Sequence, residues 1–131
     1  VPECKYESLT YCMTNQTDLI TTIIEGIQER KGRGITHVDM TGIESAATSH
    51  FVICSGTSTM QVGAIADCVR EYVQEHAGVK PYNCDGFQNA QWIVLDYGNI
   101  YVHVFLPEYR ELYDLEHLWN DAQLVNIPDI Y

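Results

Sequence analysis

Residues 92–97 and 100–106 are two extended, mostly apolar runs separated by Gly98 and Asn99 alone. A two-residue Gly-Asn link suits a tight antiparallel hairpin. It sets Tyr97 opposite Ile100, Leu95 opposite Val102 and Ile93 opposite Val104. Side chains alternate along a strand, so this register sorts them onto two unlike faces. The face just named is wholly apolar or aromatic. The other pairs Asp96 with Tyr101, Val94 with His103 and Trp92 with Phe105. Large aromatics with a few polar handles are what protein interfaces concentrate at their energetic centres. The competing expectation is that helices cover both sides of the sheet, which makes Trp92 and Phe105 core and His103 a satisfied buried histidine. Asp96 beside Tyr101 and His103 argues against that, because a buried carboxylate needs partners.

The rest of the chain supplies helices and strands to pack on the hairpin. Leu19, Ile20, Ile23, Ile24 and Ile27 line one face of a helix, with Asn15 or Thr17 as its N-cap and Gly32 and Gly34 beyond its end. Residues 35–40 and 51–55 read as strands, the second apolar enough to be covered on both faces. Ser58 and Gln61 have capping-box spacing, and Val62, Ile65, Ala66, Val69, Tyr72 and Val73 then repeat with helical period as far as Gly78. A short edge strand fits residues 81–86. Pro107 stops the hairpin, and Leu112, Leu115, Leu118 and Trp119 predict a helix over 108–119. The domain is expected over 13–122, with 1–12 an unstructured extension and 123–131 a loosely held C-terminal tail.

With 131 residues, 46% hydrophobic and 19% charged, the chain has the make-up of one globular domain. Its 18 Asp and Glu against 7 Lys and Arg give a formal net charge of -11. Nucleic-acid affinity comes largely from neutralising phosphates, so direct contact with RNA or DNA should be slight, whereas a basic protein would be drawn in. The five cysteines are odd in number and form no Cys-x-x-Cys pair, and no apolar run is long enough to span a bilayer. The expected setting is a reducing cytoplasm, with no membrane partner.

The residues fit poorly with four kinds of enzyme. Cys54 at a strand-to-helix turn resembles a phosphatase loop, but the arginine required six residues later is Met60. The same turn, Gly56, Thr57 and Ser58, lacks the Lys-Ser/Thr ending of a Walker loop. A nucleotidyltransferase needs two or three carboxylates converging on Mg2+. The hairpin strands offer Asp96 alone, and Asp114 and Glu116 fall two apart in an expected helix, pointing in different directions. No Gly-x-Ser-x-Gly elbow places a serine nucleophile among Ser55, His103 and Asp96, and no two-histidine metal spacing occurs. The expectation is no catalytic residue, no metal and no cofactor. A nucleotide-binding or nucleotidyl-transferring enzyme using the turn at 56–58 is the alternative.

Gly86, the run 92–98, Val102 to Phe105, Pro107, Glu108, Arg110 and Tyr113, continued by residues 115–119, together resemble the hallmark segment of the ribosomal silencing factor (Iojap-like) family. Residues 51–58 followed by Gln61 and Ala64 to Asp67 are similar to that family's other signature. The resemblance covers about 17–122. Thr48, Ser49 and His50 stand where the family carries Ala-Asp-Tyr, and Asn99 replaces an Asp. It implies an α/β single domain with a mixed sheet of about five strands and packed helices, like a degenerate nucleotidyltransferase fold without its metal carboxylates. It further implies a non-catalytic regulator that binds the large ribosomal subunit through ribosomal protein L-fourteen, blocks joining of the small subunit and so represses translation, with a homodimer allowed when free. On the hairpin faces and the motif together, Trp92, Asp96, Tyr97, Tyr101, His103 and Phe105 are the expected docking residues. Tyr97 enters by motif, its strand position placing it on the apolar face.

Overall fold

The hairpin forms in the expected register: Trp92 pairs with Phe105, Val94 with His103 and Asp96 with Tyr101 across antiparallel strands β4 (Trp92–Asp96) and β5 (Ile100–Phe105). Gly98 takes a φ of 90° in the turn, and Asp96 Oδ1 accepts its N–H at 2.7 Å. The computed structural model describes residues 16–44, 46, 48–119 and 121–130, so the expectation for 1–12 lies outside the described residues.

Around the hairpin the remaining strands are β1 (Arg33–Asp39), β2 (His50–Ser55), β3 (Asn83–Asp85) and β6 (Gln123–Ile127). They form one sheet in the order β3-β4-β5-β2-β1-β6, mixed because β2 runs parallel to β5 while every other pair is antiparallel. The sheet therefore has six strands, not about five. The sixth, β6, lies in the segment expected to be a loose tail; it pairs with β1 from Ile35 against Ile127 to Asp39 against Gln123. Beyond it, Asp129 accepts the Gly34 N–H at 3.1 Å.

Helices α1 (Gln16–Glu29) and α2 (Thr59–Ala77) cover one side of the sheet. Ile20, Ile23 and Ile27 of α1 and Val62, Ile65, Val69 and Val73 of α2 bury against Ile93, Leu95, Tyr97, Ile100, Val102 and Val104, the apolar hairpin face. Thr17 is not the N-cap of α1, because the helix already includes Gln16; Asn15 lies outside the described residues. At its other end Gly32 N–H reaches Ile27 O and Lys31 N–H reaches Gln28 O, each at 3.0 Å, a Schellman closure with Lys31 at φ 59°. Gly32 has no room for a side chain, since a Cβ there would lie 2.3 Å from Ile27 Cγ2.

Ser58 caps α2, its Oγ accepting the Gln61 N–H at 3.1 Å, and Gly78 closes the helix at φ 68°. Gln61 does not return to the Ser58 amide as a capping box would. Its Oε1 accepts from the Thr57 N–H (2.6 Å) and hydroxyl (2.8 Å), while Nε2 donates to Arg30 O (3.2 Å), tying the start of α2 to the end of α1. Ser58→Ala should lower unfolding free energy by about 0.5–2 kcal/mol. A denaturation midpoint equal to that of the unsubstituted chain would show that this bond contributes nothing.

The other side of the sheet carries a second, smaller core of Val38, Met40, Phe51, Ile53 and Phe105, partly roofed by Tyr109, Leu115 and Trp119. The helix expected over 108–119 breaks in two here. Helix α3 (Pro107–Tyr113) ends where Asp114 turns to φ 47°, and a 3-10 turn, Leu115–His117, follows. Leu112 and Leu118, which the helical period had placed on a buried face, are 70% and 54% exposed.

Candidate functional site

The six expected docking residues divide into three groups in the structure. Trp92, Asp96 and Tyr101 are half-buried on the α3 side of the hairpin and present surface to solvent. His103 and Phe105 lie beneath them, 4% and 0% exposed, so they form a floor and not a contact surface. Tyr97 is on the opposite face, packed under α1 and α2 with the main core, and is not part of the surface at all. Period-two alternation dictates that last placement.

Aromatic packing orders the patch. The Trp92 ring stacks on Phe105 at 5.2 Å and leans against Tyr113 of α3 at 4.7 Å, while Phe51 from β2 meets His103 edge-to-face at 4.6 Å. The indole N–H of Trp92 donates to His103 Nδ1 at 3.0 Å, which assigns the ring proton to Nε2. Burial pushes the His103 pKa down to about 3, so this imidazole is neutral across the physiological range. Asp96 has its partner in the Gly98 N–H, which is how a half-buried carboxylate is tolerated beside these rings. Gly86 lets the chain pass against β4: its φ is 95°, and a Cβ would come within 2.1 Å of the Trp92 carbonyl oxygen.

Arg110 holds the roof of this face in place. Its guanidinium forms a two-point pair with Glu116 (3.0 and 2.9 Å) and donates to Ser55 Oγ (3.0 Å) and Thr36 Oγ1 (3.1 Å). Thr36 in turn donates to Asn126 of β6 at 2.9 Å. One side chain thereby ties α3 to β1, β2 and, through Thr36, β6. Sequence reasoning quoted Arg110 and Tyr113 as motif residues without a role, and missed Phe51 as a ring of this face. The signal for Arg110 was its standing alone among the acidic residues 108–131; Phe51 had none, since β2 pairs with β5 across a long separation.

The turn at 56–58 is engaged internally. Gly56 N–H donates to Phe105 O at 2.9 Å, and Gln61 takes the Thr57 amide and hydroxyl. Cys54 is fully buried, and burial pushes its thiol up to about 12, far from a nucleophile's range. Among the described residues no group of three His, Cys, Asp or Glu side chains is placed to hold a metal ion, and no helix is long and apolar enough to cross a membrane.

The chain is similar to known proteins over nearly its whole length. A family sequence model described as "Ribosomal silencing factor during starvation" matches residues 13–131. A protein of Halalkalibacterium halodurans named ribosomal silencing factor RsfS is 34% identical over 118 residues, 90% of this chain and 98% of that protein. The mouse protein named mitochondrial assembly of ribosomal large subunit protein 1 is 38% identical over 90 residues, 64% of this chain but 40% of that longer protein. A crystal structure of a Chromobacterium violaceum protein superposes with a TM-score of 0.75 at 28% identity, covering 87% of this chain and 94% of that one. The α/β domain with its mixed sheet, the two motif segments and these likenesses agree: the chain belongs to the ribosomal silencing factor family.

Proposed function

We propose that this protein represses translation by docking on the large ribosomal subunit through ribosomal protein L-fourteen and occupying space that the small subunit needs. The observation that carries the reading is the patch of Trp92, Tyr101 and Asp96, half-exposed on one side of a hairpin whose other side is sealed by two helices. Rigid aromatics fixed by their neighbours lose little entropy on binding, which suits them to anchor an interface. The names of the bacterial and mitochondrial relatives point to the same particle. In this reading the protein is a binding factor of the cytoplasm and not an enzyme; Cys54 offers no nucleophile and the turn at 56–58 spends its donors on its own structure. Co-sedimentation with purified large subunits, with and without small subunits, tests it: the protein should travel with large subunits alone and reduce the yield of joined particles. Failure to travel with large subunits overturns the proposal.

Charge should govern the speed of docking. Residues 108–131 hold Glu108, Glu111, Asp114, Glu116, Asp121 and Asp129 against Arg110 alone, and Arg110 is already paired with Glu116. A basic protein partner would be steered by that field, which salt screens over about 8–10 Å near physiological ionic strength. The association rate should therefore fall as salt rises. A rate independent of salt removes steering from the account.

A further inference from the structure

Two histidines from neighbouring strands meet beside the hairpin turn: His37 Nε2 of β1 lies 3.0 Å from His50 Nδ1 of β2, with the ring centroids 5.1 Å apart. Alternation puts His37 on the face of Ile35, and His50 on the face of Val52 and Cys54, all three members of the main core. The pair therefore sits on the helix side of the sheet, away from the aromatic patch. His50 is 7% exposed and His37 is half-buried. Asp39, paired with His50 across the strands, brings its Oδ1 to 4.0 Å from His50 Nδ1, and the same oxygen accepts the Thr41 N–H (3.0 Å) and hydroxyl (2.7 Å).

The backbone is fastened at the same place. His50 N–H donates to Asn99 O at 3.0 Å, Met40 N–H to Ser49 O at 2.8 Å, and the Thr48 hydroxyl to Gly98 O at 3.0 Å. Both ends of the 40–49 loop thus join the hairpin turn where the two rings touch. Ring nitrogens at this distance share one proton, since one must donate and the other must accept through its lone pair. A proton added at an outer nitrogen leaves that bond intact. Charging both rings turns the acceptor into a second donor and sets two cations against each other. Little else answers that charge among the described residues. Asp39 is the nearby carboxylate; β6 offers only Gln123 opposite Asp39 and Val125 opposite His37, and β5 offers Ile100 opposite His50. Glu44 in the loop and Asp18, Glu25 and Glu29 on α1 are exposed.

We infer that His37 and His50 form an acid-opened clasp, which fastens the 40–49 loop to the hairpin turn while one ring stays neutral and releases it when both are charged. The release reaches the hairpin itself, because Asp96 is bonded to the N–H of Gly98 in that turn. Burial pushes both imidazoles below their ordinary range; His50 lowers His37 further, and Asp39 opposes the shift at both rings. The sign follows from linkage. With folded values below that of a free imidazole, about 6.5, the unfolded or opened chain takes up protons first as the solution acidifies. The closed clasp is therefore fully stable above that pH and weakens as pH falls through the folded values.

The test is an acid titration of the full chain, with ring-nitrogen NMR reading the charge on each histidine and amide hydrogen exchange reading the clasp. Exchange is expressed as protection relative to an unstructured peptide at the same pH, which removes the intrinsic pH dependence. His37 and His50 should titrate below the free-imidazole range as a coupled unit. Between neutral pH and the pH at which both rings are charged, protection at the Met40 and His50 amides should fall by about tenfold or more, while that of Val69 in the buried face of α2 holds within about twofold. His37→Gln keeps an amide that can donate to His50 Nδ1, and His50→Asn keeps an oxygen that can accept from His37 Nε2; each leaves one ring to charge. Either variant, folded, should cut the acid loss at Met40 to about twofold or less. Undiminished protection in the doubly charged parent overturns the inference, as does an equal loss at Val69 or an acid loss that persists in the variants. Ribosome binding plays no part in this readout, so the outcome is independent of the docking proposal.

Discussion

Phe105→Ala should cost about 3–5 kcal/mol of unfolding free energy, the range for removing a fully buried aromatic ring. Phe105 is 0% exposed, stacked by Trp92 at 5.2 Å and by His103 at 6.1 Å, and grouped with Val38 and Ile53 on the α3 side of the sheet. The surrounding strands are locked by backbone pairing on both sides, since β5 lies between β4 and β2, so the cavity has little freedom to collapse. A domain of this kind has about 5–15 kcal/mol to lose, and the variant should sit near the edge of folding at physiological temperature. Urea unfolding would read the effect as a lower midpoint with an unchanged slope. Phe105→Leu should recover much of the loss. A cost below about 1 kcal/mol would show that the small second core supports nothing, and that the aromatic patch is held by other means.

The hairpin was legible in the sequence because its determinants are local. A two-residue link leaves one register, alternation then assigns each side chain to a face, and every pairing expected from Trp92–Phe105 to Asp96–Tyr101 is found. The capped helix α2 was legible for the same reason, Ser58, Gln61 and Gly78 all acting within a few residues of each other. What failed depends on contacts far apart in the chain. β6 has no stability of its own and exists because β1 presents a free edge to Gln123–Ile127, some ninety residues later. The exposure of Leu112 and Leu118 follows from Asp114 leaving helical geometry, which hydrophobic period alone cannot register. The status of His103 and Phe105 turned on whether anything roofs that face. The roof is built from α3, the 3-10 turn and the Arg110 bonds to Thr36 and Ser55, none of which is written in the hairpin itself. Asp96 does take a partner, and finds it locally in the turn amide of Gly98.

Trp92→Ala should weaken co-sedimentation with large subunits by at least about 2 kcal/mol, roughly thirtyfold, the level of an interface hot spot. The indole has two sides with different work. Its inner edge stacks on Phe105, leans on Tyr113 and donates to His103 Nδ1, so truncation also leaves a buried nitrogen without a partner and should cost about 2 kcal/mol of stability. The residue is only half-buried, and its exposed part alone can reach a partner. Two further variants separate the contributions. Trp92→Phe keeps a ring against Phe105 but removes the indole N–H and reduces the ring's area, so it should preserve the fold at some cost in stability and still bind less well. Tyr101→Ala, opposite Asp96 and likewise half-exposed, changes the patch without touching the bond to His103. Thermal unfolding beside sedimentation reads all three. If folded Trp92→Phe and Tyr101→Ala proteins both travel with large subunits as the unsubstituted chain does, this face is not where the ribosome is held. If both bind weakly while Trp92→Phe stays folded and Tyr101→Ala keeps a melting temperature close to the parent's, the loss belongs to the interface, and the buried pair of His103 and Phe105 acts through the rings it positions.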